Sequence, residues 1–232
     1  MKHLTILSLM IVLMLVVTGQ GGKTPTTCSG ASKIDLEKDL RAKQKNGLKL
    51  VDQAGTYSQR LNAMKSYNAK ARKLGCSRLL TEQDHMPPKA AITAASGALR
   101  NRLYGSGPND MLAMTYLKPS HRQAGTTGRF RGVTAVQNLI TDAINSGNVV
   151  LTYKYAVLAT NSDVISSAGR NFKGYMDAYV ARLGSLITAA GRAQIQTWTN
   201  TVLRSETQTE REPAYQRLLN AYYAAQEDII MT

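Results

Sequence analysis

Histidine is the scarcest chemistry-bearing residue in this chain. There are three, and one of them, His3, falls in an N-terminal leader, so imidazole chemistry rests on His85 and His121. Cysteine is nearly as rare. Cys28 and Cys76 are the only two, and their wide spacing gives no close thiol pair of the kind a zinc finger or knuckle needs. The chain has no Ser/His/Asp spacing for acyl transfer, no phosphate-binding P-loop and no glycine-rich dinucleotide fingerprint. It has no internal repeat and no low-complexity tract, which excludes solenoids and arrays. Aromatic residues make up 6%, so the core must be built mainly from Leu, Ile, Val, Ala and Met. Past the leader, no apolar run is long enough to span a bilayer.

What is present begins with that leader. Lys2 and His3 precede a largely apolar run from Leu4 to Val17, followed by Thr18, Gly19, Gln20, Gly21 and Gly22. A basic start, a short apolar stretch and a small-residue exit describe a secretory signal peptide over residues 1–22, cut near Gln20. The alternative is an uncleaved N-terminal anchor. No cysteine follows the run directly, which argues against a lipoprotein.

The remainder, roughly 210 residues, is long enough for one good core or two small ones. It is strongly basic. The chain holds 29 Lys and Arg, of which Lys2 alone lies in the leader, against 15 Asp and Glu. Such an excess suits a polyanionic partner: nucleic acid, an anionic membrane surface or an acidic glycan. A merely cationic secreted protein fits it as well. In an oxidising compartment Cys28 and Cys76 are expected to pair. Closing that loop of about 48 residues restricts the unfolded chain by roughly 4 kcal/mol in the chain-entropy account.

Periodicity predicts a mainly α protein with a small β element. Ser32 can cap a first helix carrying Leu36, Leu40, Leu48 and Val51. A second carries Tyr57, Leu61, Met64, Ala71 and Leu74, and Gly75 ends it. Together they form a helical hairpin over residues 23–77. Arg78 to Met86 is extended or looped, Pro88 starts an alanine-rich helix from Lys89 to Leu103, and Gly105-Ser106-Gly107-Pro108 stops it. Met111–Leu117 reads as a strand, Val133–Asn145 as a helix, and the Val-, Tyr- and Leu-rich run Val149–Thr160 as a second strand. The rest is read as helix over Val164–Leu186, Ala189–Ser205 and Pro213–Ile230. Tyr175, Tyr179, Leu183 and Leu186 form the apolar stripe of the first of these.

The candidate site lies at Asp84-His85-Met86-Pro87 and at Ser120-His121-Arg122. Asp84 offers a hard oxygen ligand and His85 an imidazole that can ligate or take a proton. Adjacent side chains of an extended segment point to opposite faces, so one can hold a cation while the other faces a water. His121 can complete the ligands, and Arg122, Arg129 and Arg131 can hold phosphate oxygens through paired hydrogen bonds. Gly125-Thr126-Thr127-Gly128 is a turn that can cradle phosphate with its amides. A hydrolysis needs a base for water and a cation for the developing charge, and these residue types supply both.

Asp84-His85-x-Pro followed by a strand and the His121-Arg122 pair resembles the His-Me finger (HNH, ββα-metal) nuclease superfamily, in the manner of the nuclease domains of bacterial polymorphic toxins. The resemblance covers about residues 78–131. It implies His85 as general base and Asp84 and His121 as ligands of one divalent ion, Mg²⁺ or Zn²⁺. It implies Asn109 as the residue that orients the base; the substrate-holding role of Arg122 rests on the residues themselves. It further implies a metal-dependent endonuclease acting on nucleic acid, DNA before RNA, with a toxin role and a neutralising immunity protein as partner; the leader adds the expectation of secretion or periplasmic residence. The expected organisation is a leader (1–22), the helical hairpin (23–77), a His-Me-finger-like nuclease core (78–150) and a helical C-terminal part packed on that core (151–232). The rival expectation is a non-enzymatic basic helical binding protein of the cell envelope.

Overall fold

The computed structural model describes Cys28, Gly30, residues 33–36 and 38, residues 54–122, 133–160 and 173–201, and Asn220. The expected leader, most of the first hairpin helix, the Gly125–Gly128 turn with Arg129 and Arg131, the stretch 164–172 and the final helix expected over Pro213–Ile230 lie outside the described residues, apart from Asn220. The protein is mainly α with a small antiparallel sheet.

The sheet has three strands in the order β1 (Ala54–Thr56), β3 (Leu112–Leu117), β2 (Thr81–His85). β3 is central, and its sequence Leu-Ala-Met-Thr-Tyr-Leu carries no charge because both its faces are covered. β2 runs antiparallel to it, with Thr81 opposite Leu117 and His85 opposite Ala113. β1 pairs on the other side, Thr56 opposite Leu112. Gly55, which lies between the two helices expected in this region, is the middle residue of this short strand.

Helix α1 (Tyr57–Lys73) leaves β1 without a loop. Thr56 caps it: the Thr56 hydroxyl accepts from the Gln59 amide, and the Gln59 side chain accepts from the Thr56 amide. Gly75, at φ 68°, turns the chain out of the helix where other residues would be strained. α1 lies across one face of the sheet. Buried Asn68 clips the start of β2, donating to the Thr81 carbonyl at 3.0 Å and accepting from the Thr81 amide at 2.9 Å. Arg60 donates to the Thr115 hydroxyl of β3 at 3.0 Å. At the far end of α1, Leu36, Met64, Tyr67, Ala71 and Cys76 form a small apolar cluster under the Cys28–Cys76 disulfide.

Between β2 and β3 the expected single helix is two, α2 (Lys89–Ala94) and α3 (Gly97–Tyr104). The break has a partner. Asn145 takes the Ser96 amide at 2.9 Å, which holds Ser96 extended, and Gly97 follows at φ 85°. After β3 comes the short α4 (Lys118–Arg122), then α5 (Val133–Asn145) and α6 (Val149–Thr160). The expectation of a strand at Val149–Thr160 is wrong. Asn148 caps a helix there through the Leu151 amide, and eight of the twelve residues of α6 are buried, the other four half-buried. A helix covered all round has no polar face, so its Val-, Tyr- and Leu-rich run mimics a buried strand.

α7 (Lys173–Leu183) and α8 (Ala189–Thr201) complete the described chain. Tyr153 of α6 meets Tyr175 and Tyr179 of α7 and Trp198 of α8 in one aromatic cluster. Leu186 was placed on the same stripe, but it lies past the end of α7 and is exposed. A continuous apolar core runs from Met86 through Met114, Ile140 and Tyr153 to Trp198, so the region after residue 150 shares the core that backs β2. Among the described residues no helix is long and apolar enough to cross a membrane.

Candidate active site

β2 presents two different faces. Strand geometry sends alternate side chains to opposite sides. Thr81 and His85 face α1: the Thr81 hydroxyl reaches Asn68, and the His85 ring stacks on Tyr57. Glu82 and Asp84 face the other way, toward α4.

On that second side His121 enters between the two carboxylates. Its Nδ1 lies 2.8 Å from Glu82 Oε2, and its Nε2 lies 3.5 Å from Asp84 Oδ1. α4 follows β3 directly, and β3 is paired with β2, so a side chain in the first turns of α4 returns over β2. Asp84 is buried, at 7% exposure. Burial is the largest single influence on His121 and opposes its charge, but the combined attraction of Asp84 and Glu82 outweighs it and pushes His121 up to about 9. Arg122 approaches Glu82 at 3.4 Å and Lys118 at 4.0 Å, so the basic side chains of α4 gather at the outer carboxylate.

The donor set bears on whether a divalent ion fits. Metal–ligand bonds to carboxylate and imidazole are about 2.0–2.2 Å, so two donor atoms 3.5 Å apart lie within reach of one ion. Glu82 at Nδ1 matches the carboxylate that orients metal-ligating imidazoles and leaves Nε2 as the ligand. Among the described residues no set of three His, Cys, Asp or Glu side chains is arranged to hold a metal. Asp84 and His121 are thus two potential donors, and an ion held there would have to take its other ligands from water or substrate.

On the first side His85 is set apart. Its ring lies 4.4 Å from that of Tyr57, with 3° between the planes, and its Nε2 lies 3.1 Å from the Pro108 carbonyl. A carbonyl only accepts, so Nε2 carries the hydrogen, and in the neutral ring Nδ1 keeps its lone pair. Burial pulls the His85 pKa down; the Pro108 carbonyl and Asp84 offset part of this, and Lys89 and His121 add to it. The ring is thus held neutral with a bare nitrogen, the form a general base needs.

Of the residues read from the sequence, Asp84 and His121 come together, and His85 does not join them; it occupies the opposite face of the same strand. The orienting group at His85 is the carbonyl of Pro108, where Asn109 had been expected. Asn109 is exposed, and its own carbonyl accepts from the Ser58 amide at 3.1 Å. Arg122 pairs with Glu82 and keeps 40% of its side chain exposed. Sequence reasoning missed Glu82, Tyr57 and Pro108. The alternation Glu82-x-Asp84 in an extended segment signals Glu82; nothing local signals a ring 28 residues upstream or a backbone oxygen.

No family model, curated protein or solved structure matches the chain.

Proposed function

We propose that the chain is a metal-dependent endonuclease that hydrolyses phosphodiester bonds, in DNA before RNA. The observation that carries this is the meeting of Asp84 and His121, two potential ligands from different elements, next to the strand end that holds neutral His85. In this reading Asp84 and His121 hold a divalent ion, Mg²⁺ or Zn²⁺, which when bound offsets the charge that builds on the phosphate. Because His85 leaves β2 on the face opposite the Asp84–His121 pair, this reading requires the substrate to pass around the His85 end of the strand, where Nδ1 would take a proton from the attacking water. A new P–O bond would form from that water as the bond to the leaving sugar oxygen breaks, and that oxygen would take a proton from solvent water. Glu82 holds the His121 ring, and Arg122 stands where a phosphate oxygen can draw it off Glu82. The excess of 29 basic over 15 acidic side chains supports a polyanionic substrate. Export, a toxin role and a neutralising partner belong to the same proposal. The Cys28–Cys76 disulfide is compatible with an oxidising compartment.

The test is plasmid cleavage with Mg²⁺, Mn²⁺ or Zn²⁺ by the wild-type chain and by His85→Ala. Cleavage that His85→Ala abolishes while its fold and DNA binding persist supports the enzyme. One observation favours a second reading, a non-enzymatic basic binding protein: the carboxylates of Glu82 and Asp84 are matched by protonated His121 between them and by Arg122 at Glu82, a cluster balanced in charge without an ion. DNA binding that weakens with salt, with no cleavage under any of the three ions, selects that reading.

A further inference from the structure

Nothing intrinsic to a histidine fixes its ring plane, because the torsion that turns the ring is broad. At His85 the plane is set from outside. Tyr57, the first residue of α1, lies parallel to it at 4.4 Å. The same helix end holds the loop that supplies the other contact. The Tyr57 amide donates to the Met111 carbonyl at 2.9 Å, and the Ser58 amide to the Asn109 carbonyl at 3.1 Å. These are first-turn amides, which have no acceptor inside their own helix and are free to bind elsewhere. They tie down the chain just after Pro108, whose own carbonyl reaches His85. The loop is tied on its other side as well, where Arg182 of α7 grips the Asp110 carboxylate with two contacts of 3.1 Å.

We propose that Tyr57 and the first turn of α1 form a positioning element for His85. Tyr57 fixes the ring plane, and the Tyr57 and Ser58 amides fix the loop whose Pro108 carbonyl keeps the hydrogen on Nε2. The catalytic consequence rests on the reading of His85 as the base; the effect on the ring does not. Tyr57 is not a catalytic residue here, since it acts through His85. Its stacking face matters and its hydroxyl does not, so phenylalanine should replace it and leucine, of comparable bulk, should not.

The experiment uses the full chain, ¹⁵N-labelled at histidine and free of divalent ions. Long-range proton–nitrogen spectra are recorded at about pH 8, where an ordinary imidazole is neutral. His85→Gln assigns the His85 signals. Wild type and Tyr57→Phe should show one tautomer at His85, with hydrogen on Nε2; Tyr57→Leu and Tyr57→Ala should show the averaged shifts of an unfixed ring. In plasmid cleavage the last two should lose about tenfold to a hundredfold in kcat, the scale of a misplaced reacting group, with KM changed less than about threefold. A wild-type nitrogen pattern in Tyr57→Leu overturns the proposal, whatever Tyr57→Ala does to folding. If wild type cleaves nothing, the nuclease reading fails by itself and the nitrogen spectra still decide the positioning.

Discussion

The two faces of β2 treat their histidines oppositely. Burial acts on both rings in the same direction, against the proton. On the α1 side little opposes it, and His85 is held below its ordinary range. On the α4 side Glu82 and Asp84 both touch the ring, and His121 rises to about 9. The difference shows that depth does not set the role of either imidazole; the carboxylates of alternate strand positions do. One strand thereby separates a ring whose proton is disfavoured by burial from a ring whose charge two carboxylates stabilise.

The largest expected effect is kinetic. His85→Ala should lower plasmid cleavage by about 10²–10⁴-fold, the usual worth of a general base, while calorimetric Mg²⁺ or Mn²⁺ binding stays as in wild type. His121→Ala should do the reverse to binding and weaken it. If both substitutions abolish ion binding, the two faces are not separate functions.

Next is a difference in stability with pH. His121 is raised in the folded chain above its unfolded value near 6.5. Its stabilisation is therefore complete below about pH 6.5 and is lost as pH rises through about 9, a change of roughly 2–4 kcal/mol. His85 is lowered, so it subtracts stability only as pH falls below about 6.5. Urea melts with chelator present should thus weaken from pH 6.5 to 9.5 in wild type, and the decline should flatten in His121→Gln. A decline that survives in His121→Gln assigns the effect to another group.

Glu82→Gln sharpens the same contrast at smaller scale. Losing the carboxylate that orients a ligating imidazole typically costs about 10–100-fold in metal affinity. Calorimetry should show that loss, and the His121 titration midpoint should fall with it, while the His85 signals stay in place. An unchanged affinity would leave Glu82 as a partner of Lys118 and Arg122 only.

The same contrast explains what could be read before the fold was known. Asp84-His85 and His121 stood out because so few other residues could do their chemistry. The pairing of Cys28 with Cys76 had no competitor. β3 was legible as a short uncharged run between turn residues. β1 was not, since three residues around Gly55 become a strand only by pairing with β3. α6 was taken for a strand because burial on all sides erased the helical period. The break at Ser96 depends on Asn145, distant in sequence, and the hold on His85 depends on the Pro108 carbonyl. Composition carried the reactive groups; the tertiary contacts that orient them, a stacked ring and a backbone oxygen, leave no local pattern.

The smallest effect concerns how α1 reaches only one of the two faces. Thr56 closes β1, pairs with Leu112 and caps α1 through Gln59. Thr56→Ala should cost about 1 kcal/mol in urea melts, as loss of an N-cap commonly does. The frayed first turn would loosen the Tyr57 and Ser58 amides from the 109–111 carbonyls, and the His85 ring signals should broaden or shift. His121 is held by Glu82 and Asp84, whose side chains leave β2 on the other side, so its signals should stay. Equal disturbance at both rings would mean that β2 transmits the change as one rigid unit, and the separation of its faces would then be geometric without being energetic.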